Sequence, residues 1–525
     1  MLVSTDPIDW QNFSIEDADL EFLSAYLLEH ETPLGPEALA VQLIANRITN
    51  PRPQPKDGES EKAYLPKEPY AAGDKVYFPA LKNIGGRVSA VRPASVIGSE
   101  GFDVISVAME DGTTREFAAR LAQHALNDPP KQESSAVDAM AEGRQHAKEI
   151  MPVLVEALQS SPEFVYIAGR WFPKALIVDV DPGQLNVAEA ILDMAGGGPL
   201  PTSQLLGEVE LPDGVNLKLA EFSLDLALQH DDRFDEVGST GEVAWFLRRL
   251  EPEAVQKVPV YLRYTPVGFD PSPLTEDMRD LVRSLDDELS FHNLLDDNAP
   301  EVVDVALIFP HWRVGSLPLT PKMAKLFPSA IESPRVRFTF VDEKSGETFP
   351  GWVVRQQRYI YGLRGWLDKH GLMPGSLVRL RRGEKPGEIV ISSEAHRSSK
   401  EWVRTALVGA DGGVVYATLK QQVSGAFDER MMIYLPGELA AIDAIWEKRA
   451  GQDTSQQAGL ESIVDKALHE LAKLSLQGNV HAAEIYSAVN LTLRCPPGRI
   501  VATLAGNPRY EHVGHLHFRL AEAAE

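Results

Sequence analysis

Apolar residues recur at helical spacing over Asp17–His30 (DADLEFLSAYLLEH), and Glu31-Thr32-Pro33 stops the run. Pro36–Ile48 (PEALAVQLIANRI) predicts a second amphipathic helix. From Tyr70 to Asn127 the pattern changes to short runs of β-branched and aromatic residues: YAAGDKVYFPAL, GGRVSAVRPAS, GFDVISVAMEDG and TTREFAARL. Gly and Asp-Gly turns part them, so the pattern predicts about four or five strands in one small barrel. The polar stretches 49–68 and 128–142 on either side read as linkers. Further helical periodicity covers His146–Gln159, Val187–Met194, Thr202–Val209, Leu217–His230, Ile463–Leu474, His481–Val489 and Arg499–Ala505.

Three segments share one pattern: PEFVYIAGRWF at 162–172, DDRFDEVGSTGEVAWFL at 231–247 and NPRYEHVGHLHFRL at 507–520. Each has a turn residue, an aromatic (Phe164, Phe234, Tyr510), a glycine (Gly169, Gly238, Gly514) and a closing strand with aromatics. Three predicted helices precede the second and third copies. The first copy has one, His146–Gln159, and its other two are expected at 17–30 and 35–48, with the small barrel inserted between. Three helices and a hairpin form a winged-helix arrangement. The aromatic is expected to plug the hairpin against the helices, and the glycine to permit the turn.

At 525 residues the chain is too long for a single core, and one cysteine, Cys495, allows no internal disulfide. The N-terminus lacks a basic stretch followed by an apolar one, and no apolar run of spanning length occurs, so a soluble cytoplasmic protein is expected. The net charge of −25 opposes indiscriminate binding to DNA. From His311 to Arg404, however, 17 Lys and Arg face 9 Asp and Glu. Such a basic island is either a local polyanion site or a solvated basic face.

Within 303–393, a strand (Val303–Phe309), a short helix (Leu319–Pro328), a hairpin (Arg335–Val341 with Thr348–Val354), a second helix (Leu363–His370) and a last hairpin (Leu377–Arg382 with Glu388–Ser392) are predicted. LPLTPKMAKLFP, FTFVDEKSGETFPGWVV, YGLRGWLDKHGLMPGSLVRL and EIVIS together resemble a B3-like DNA-binding pseudobarrel over about ninety residues. HAAEIYSAVNLTLRCPPGRIVATLAGNPRYEHVGHLHFRL, at 481–520, resembles a HARE-type winged-helix domain related to the delta subunit of bacterial RNA polymerase, and LALQHDDRFDEVGSTGEVAWFL is similar to it. The expected fold class is multidomain α+β: repeated winged-helix units, an SH3/Tudor-like small β-barrel and a B3-like pseudobarrel. The domains expected are 14–48 joined with 143–175, the barrel at 69–128, a second winged helix at 176–252 and a helical connection at 253–300. The pseudobarrel at 301–396, a connector at 397–449 and the third winged helix at 458–521 follow.

The B3-like resemblance implies DNA held across two arms, one after the first strand (Pro310, His311, Trp312, Arg313, Val314) and one after the aromatic strand (Arg355, Gln356, Gln357, Arg358, Tyr359). Arg can grip guanine edges and Gln adenine edges. Lys322, Lys325, Arg364 and Lys400 would hold phosphates, and Arg379 and Arg381 add cationic strand positions. Trp312, Trp352, Tyr359, Tyr361 and Trp366 suit a core better than a stacking platform. The HARE-type resemblance implies association with DNA or the transcription machinery, although its helices are poor in Lys and Arg and suit packing or protein contact as well.

Asp304 with Asp342-Glu343-Lys344 has the residue types of a nuclease cluster, but Ser345-Gly346 marks a turn there. His481, His512, His515, His517 and Cys495 lack a Cys-x-x-Cys pair for zinc. Gly196-Gly197-Gly198 lacks the Lys-Ser/Thr of a phosphate loop, and no Gly-x-Ser-x-Gly elbow occurs. The sequence therefore predicts a non-enzymatic, cofactor-free binder of double-stranded DNA in transcription regulation or DNA recognition, with no membrane partner and no small-molecule substrate. The alternative is a scaffold docking on RNA polymerase, another protein or a defence/restriction system.

Overall fold

The computed structural model describes residues 10, 13–50, 62–78, 81, 84–94, 102–109, 112–122, 124–127, 136–212, 214–290, 300–409, 412–435, 437, 439–450 and 457–521. The fold is mixed α+β with several separate sheets. Its contacts divide it into two compact units, Met1–Val178 with Asn216–Phe222, and Asp179–Val215 with Ser223–Glu525. Among the described residues no helix is long and apolar enough to cross a membrane.

In the first unit, helices Asp17–His30, Pro36–Thr49 and Ala136–Ser160 precede a hairpin of Phe164–Ile167 and Arg170–Pro173. Leu23 and Leu27 are fully buried on the first helix, as its periodicity predicts. Asp19 on the same helix is also fully buried, gripped by the Arg47 guanidinium at 2.8 and 2.6 Å. A Cβ on Gly143 would lie 2.8 Å from the Val41 carbonyl, so the second and third helices pack nearly backbone to backbone. In sequence between those two helices lies a sheet ordered Lys62–Ala63, Lys75–Phe78, Ile84–Ala94, Phe102–Met109, Thr114–Ala119. It has its own core of Val76, Phe78, Val88, Ile105 and Val107. Most of the two predicted linkers, at 51–61 and 128–135, lies outside the described residues.

Two more runs of helices followed by a hairpin come after Val178, all within the second unit except the start of the helix Leu217–Gln229, which is counted with the first. Pro182–Met194, Thr202–Leu205 and Leu217–Gln229 precede Phe234–Glu236 and Ala244–Leu247. Asp181 caps the first of these by accepting from the Gln184 amide at 2.9 Å, while Gln184 reaches back to the Asp181 N–H at 2.8 Å. Gln457–Ala472, Ala482–Asn490 and Pro497–Gly506 precede Tyr510–Gly514 and His517–Leu520. The same pairing recurs three times: a residue just ahead of the second helix joins an aromatic on the closing strand. The pairs are Leu34 with Trp171, Leu200 with Trp245 and Val480 with Phe518. All three aromatics are buried, as are Phe164, Phe234 and Tyr510 on the opening strands.

Between these two runs stands a barrel-like seven-stranded sheet. Its order is Val302–Ala306, Leu377–Arg382, Glu388–Ser392, Arg335–Asp342, Thr348–Val354, Tyr359–Tyr361, Ser316–Pro318. Alternation along Arg335–Asp342 turns Val336, Phe338 and Phe340 inward. The chain passes from one edge strand to the other through a short helix, Phe309–Val314. That segment was expected as an open loop; Pro310 at its first turn and left-handed Gly315 at its end bound a helix instead. The helix expected over Leu319–Pro328 is confined to Pro321–Ala324. The expected connector forms an antiparallel ribbon, Ala395–Val408 with Val414–Gly425, and a helix, Leu439–Ala450.

Gly238, expected to permit the hairpin turn, has no positive φ. The requirement is proximity, since a Cβ would sit 2.0 Å from the Glu242 carbonyl oxygen. This hairpin docks on the barrel: Arg337 N–H donates to the Val237 carbonyl at 2.9 Å, and the Ser333 hydroxyl donates to Glu236. Gly238→Ala should cost about 2–4 kcal/mol, read as a lowered unfolding midpoint in urea. Burial pushes the Glu236 carboxyl up from 4.5 to about 7, and the Ser333 hydroxyl and Gly238 N–H only partly offset it. The protonated form is favoured in the folded state, so its stabilisation is complete below pH 4.5 and lost as pH rises through about 7. Glu236→Gln should flatten the fall in urea midpoint across that window.

Candidate polyanion interface and the buried charge centre

The first predicted arm is folded inward. His311 is fully buried, with Nδ1 2.9 Å from the Ser316 hydroxyl. Trp312 donates from Nε1 to the Leu372 carbonyl at 2.7 Å and lies under the Arg364 guanidinium. Arg313 forms a two-pronged pair with Asp443 at 3.1 and 2.8 Å. His311 is therefore corrected from a DNA contact to a core residue, because a side chain without exposed surface cannot reach a duplex.

The second arm is split. Tyr359 is buried and donates to the Ala254 carbonyl at 2.5 Å, so it too is corrected to a core residue. Trp352 and Trp366 are likewise buried. Arg355 donates to the Ser333 carbonyl at 2.7 Å. Gln356 and Gln357 are exposed, and Arg358 is half-buried with φ 52°.

The remaining cations are largely matched by carboxylates. Arg379 grips Asp304 at 2.7 and 2.8 Å and reaches Glu394 at 2.5 Å. Arg381 meets Glu343 at 3.1 Å, and Arg364 pairs with Asp368 four residues on. Outside the predicted set, Arg335 pairs with Asp235, and Arg404 with Glu484 at 2.7 Å. Lys325 is half-buried, whereas Lys322 and Lys400 are exposed. Lys322 contacts the Arg283 carbonyl at 3.4 Å. The Asp342 carboxylate accepts from the Lys344 and Ser345 N–H groups and from Trp366, which makes it a turn anchor. Asp304 is spent on Arg379.

A centre that the sequence reading missed lies behind the first arm. Glu288 and Arg494, 3% and 1% exposed, pair at 2.6 Å, and His311 Nε2 lies 3.1 Å from the same Glu288 oxygen. That histidine nitrogen faces the carboxylate directly. Burial opposes the Glu288 charge, but Arg494 and His311 outweigh it and hold the carboxyl below its ordinary value. Burial lowers the His311 pKa despite Glu288. Arg494 also donates to Asn490 Oδ1 at 2.9 Å. Among the described residues Glu288 Oε2 and Arg494 Nε are buried without a hydrogen-bond partner. Both residues line a cleft of about 580 Å³, together with Gln356, Gln357 and Arg358 of the second arm. The available signal was a lone arginine in the apolar stretch LTLRCPP.

Glu288→Gln strips Arg494 of its buried counter-charge and should cost about 3–5 kcal/mol, measurable by urea unfolding at neutral pH. The native carboxylate contributes stability above its ordinary pKa of 4.5 that is lost as pH falls below it, so the difference from the variant should shrink in acid. No family model, curated protein or solved structure matches this chain.

Proposed function

We propose that this chain is a cytoplasmic, non-enzymatic interaction scaffold in which three winged-helix-type units, an SH3-like small barrel and a B3-like barrel organise contacts with a protein partner. The observation that carries this reading is the burial of the third unit. From Ala482 to Leu504 every residue except Glu484 is buried. A recognition helix needs an open face to enter a major groove, and Pro497–Leu504 has none. Burial on all sides suits a helix built into a core. The threefold recurrence of bridging residue and hairpin supports the winged-helix reading, and the segment at 481–520 keeps its likeness to a HARE-type domain.

The ribbon supplies a partner-facing feature. Trp402 is 66% exposed, and Lys420 on the neighbouring strand lies 5.5 Å from its ring centroid. Lys400, two residues from Trp402, shares its strand face. An exposed aromatic flanked by lysines suits an apolar seat with an acidic rim. RNA polymerase is the first partner to examine. DNA binding is the second reading, favoured by the exposure of Lys322, Lys400, Gln356 and Gln357.

Capture with the tagged full chain should retain RNA polymerase subunits after nuclease treatment, and Trp402→Ala should weaken that capture about tenfold or more. In gel shifts with random duplex, the scaffold reading expects weak binding. Tight duplex binding that falls steeply with salt and is reduced by Lys400→Ala would transfer the function to DNA.

A further inference from the structure

The cleft behind the second arm has unspent chemistry. Four arginines line it, Arg263, Arg358, Arg449 and Arg494, against one carboxylate, Glu288. Glu288 is already matched by Arg494, which leaves Arg263 and Arg449 as the lining arginines to consider. Arg263 donates from Nε to the Val258 carbonyl at 3.2 Å and has no ion pair among the described residues. Arg449 is half-buried, and among the described residues it has no ion pair or hydrogen bond. Its pKa is lowered by burial alone, the signature of a desolvated charge lacking a counter-ion. An anion placed there would restore what burial removed.

Charge is half of the specification. Among the described residues Glu288 Oε2, on a side chain 3% exposed, is a buried acceptor with no donor, which suits an occupant presenting an N–H or O–H group. Gln356 and Gln357 each add an amide with both donors and an acceptor, able to read a heterocycle edge. Trp446 and Tyr264 supply aromatic surface. The volume of about 580 Å³ falls within the range of about 300–1,000 Å³ usual for small-molecule sites.

We infer that this cleft binds a nucleoside monophosphate group, its phosphate toward Arg449 and Arg263 and its base or sugar donors toward Glu288 and the two glutamines. This site is independent of the scaffold reading, and it departs from the expectation that the chain has no small-molecule ligand. A free nucleotide and the 5′ end of a single strand share this chemistry.

Calorimetric titration of the full chain tests the inference with four probes: the four common 5′-monophosphates, their nucleosides, inorganic phosphate and a 5′-phosphorylated trinucleotide. At least one monophosphate or the trinucleotide should bind with a Kd below about 1 mM. Nucleoside and inorganic phosphate should each bind about tenfold more weakly or not at all. Comparable binding of monophosphate and trinucleotide identifies a free nucleotide as sufficient; binding of the trinucleotide alone identifies a strand end. Arg449→Ala, which loses no internal partner, should keep its melting temperature and weaken binding about tenfold. Gln357→Ala should weaken nucleotide binding while leaving the response to phosphate unchanged. Absence of binding by both nucleotide probes, unchanged affinity in Arg449→Ala, or phosphate binding as tightly as nucleotide would each overturn the inference.

Discussion

The buried pair of Glu288 and Arg494 constrains the second unit more than any other contact. Removing two charges from water costs several kcal/mol per ion, recovered only when each finds its partner at close range. The pair is 206 positions apart in the chain and closes at 2.6 Å. His311, on the short helix between the two edge strands of the barrel, packs against the same carboxylate. Three distant segments therefore converge on one point, and a shift in any of them would strand a charge. This explains why Phe309–Val314 is a packed helix and not an open arm, and why the helix ahead of Arg494 is buried except at Glu484.

Around that centre the same economy of charge holds. Arg313 is held by Asp443, Arg335 by Asp235, Arg379 by Asp304 and Arg404 by Glu484. All four carboxylates lie outside the stretch 311–404 that holds the basic surplus. The acidic excess of the flanking sequence folds onto the basic island and cancels much of it. Local features remain, among them Lys322, the Trp402 ribbon with its lysines, and the cleft where Arg449 has no counter-ion among the described residues. Docking of the second helical run adds to this, because its Asp235 and Glu236 meet the barrel at Arg335 and Ser333. Burial of Glu236 makes that junction sensitive to pH near neutrality.

The local architecture was legible because it depends on near neighbours. Helical spacing places Asp17–His30, proline and glycine punctuation marks the hairpins, and the aromatic–glycine recurrence points to three copies of one helix-and-hairpin arrangement. Residues of the arms were harder to place, since a loop and a six-residue helix share much the same composition. Pro310 and Gly315 carry the signal for the helix, which a loop reading of Pro310 to Val314 passes over.

By itself the sequence determined the α+β class, the repeated helix-and-hairpin pattern and the strands of the barrel, because these follow from periodicities of 3.6 and 2 residues over short windows. Only the tertiary structure decided which cations are spent. A salt bridge joins residues by distance in space, and a window of sequence cannot show that Asp443 will reach Arg313 or that Glu288 will bury itself against Arg494. Net charge along the chain counts ions; folding pairs them, and the few left unpaired are where a partner or ligand can act.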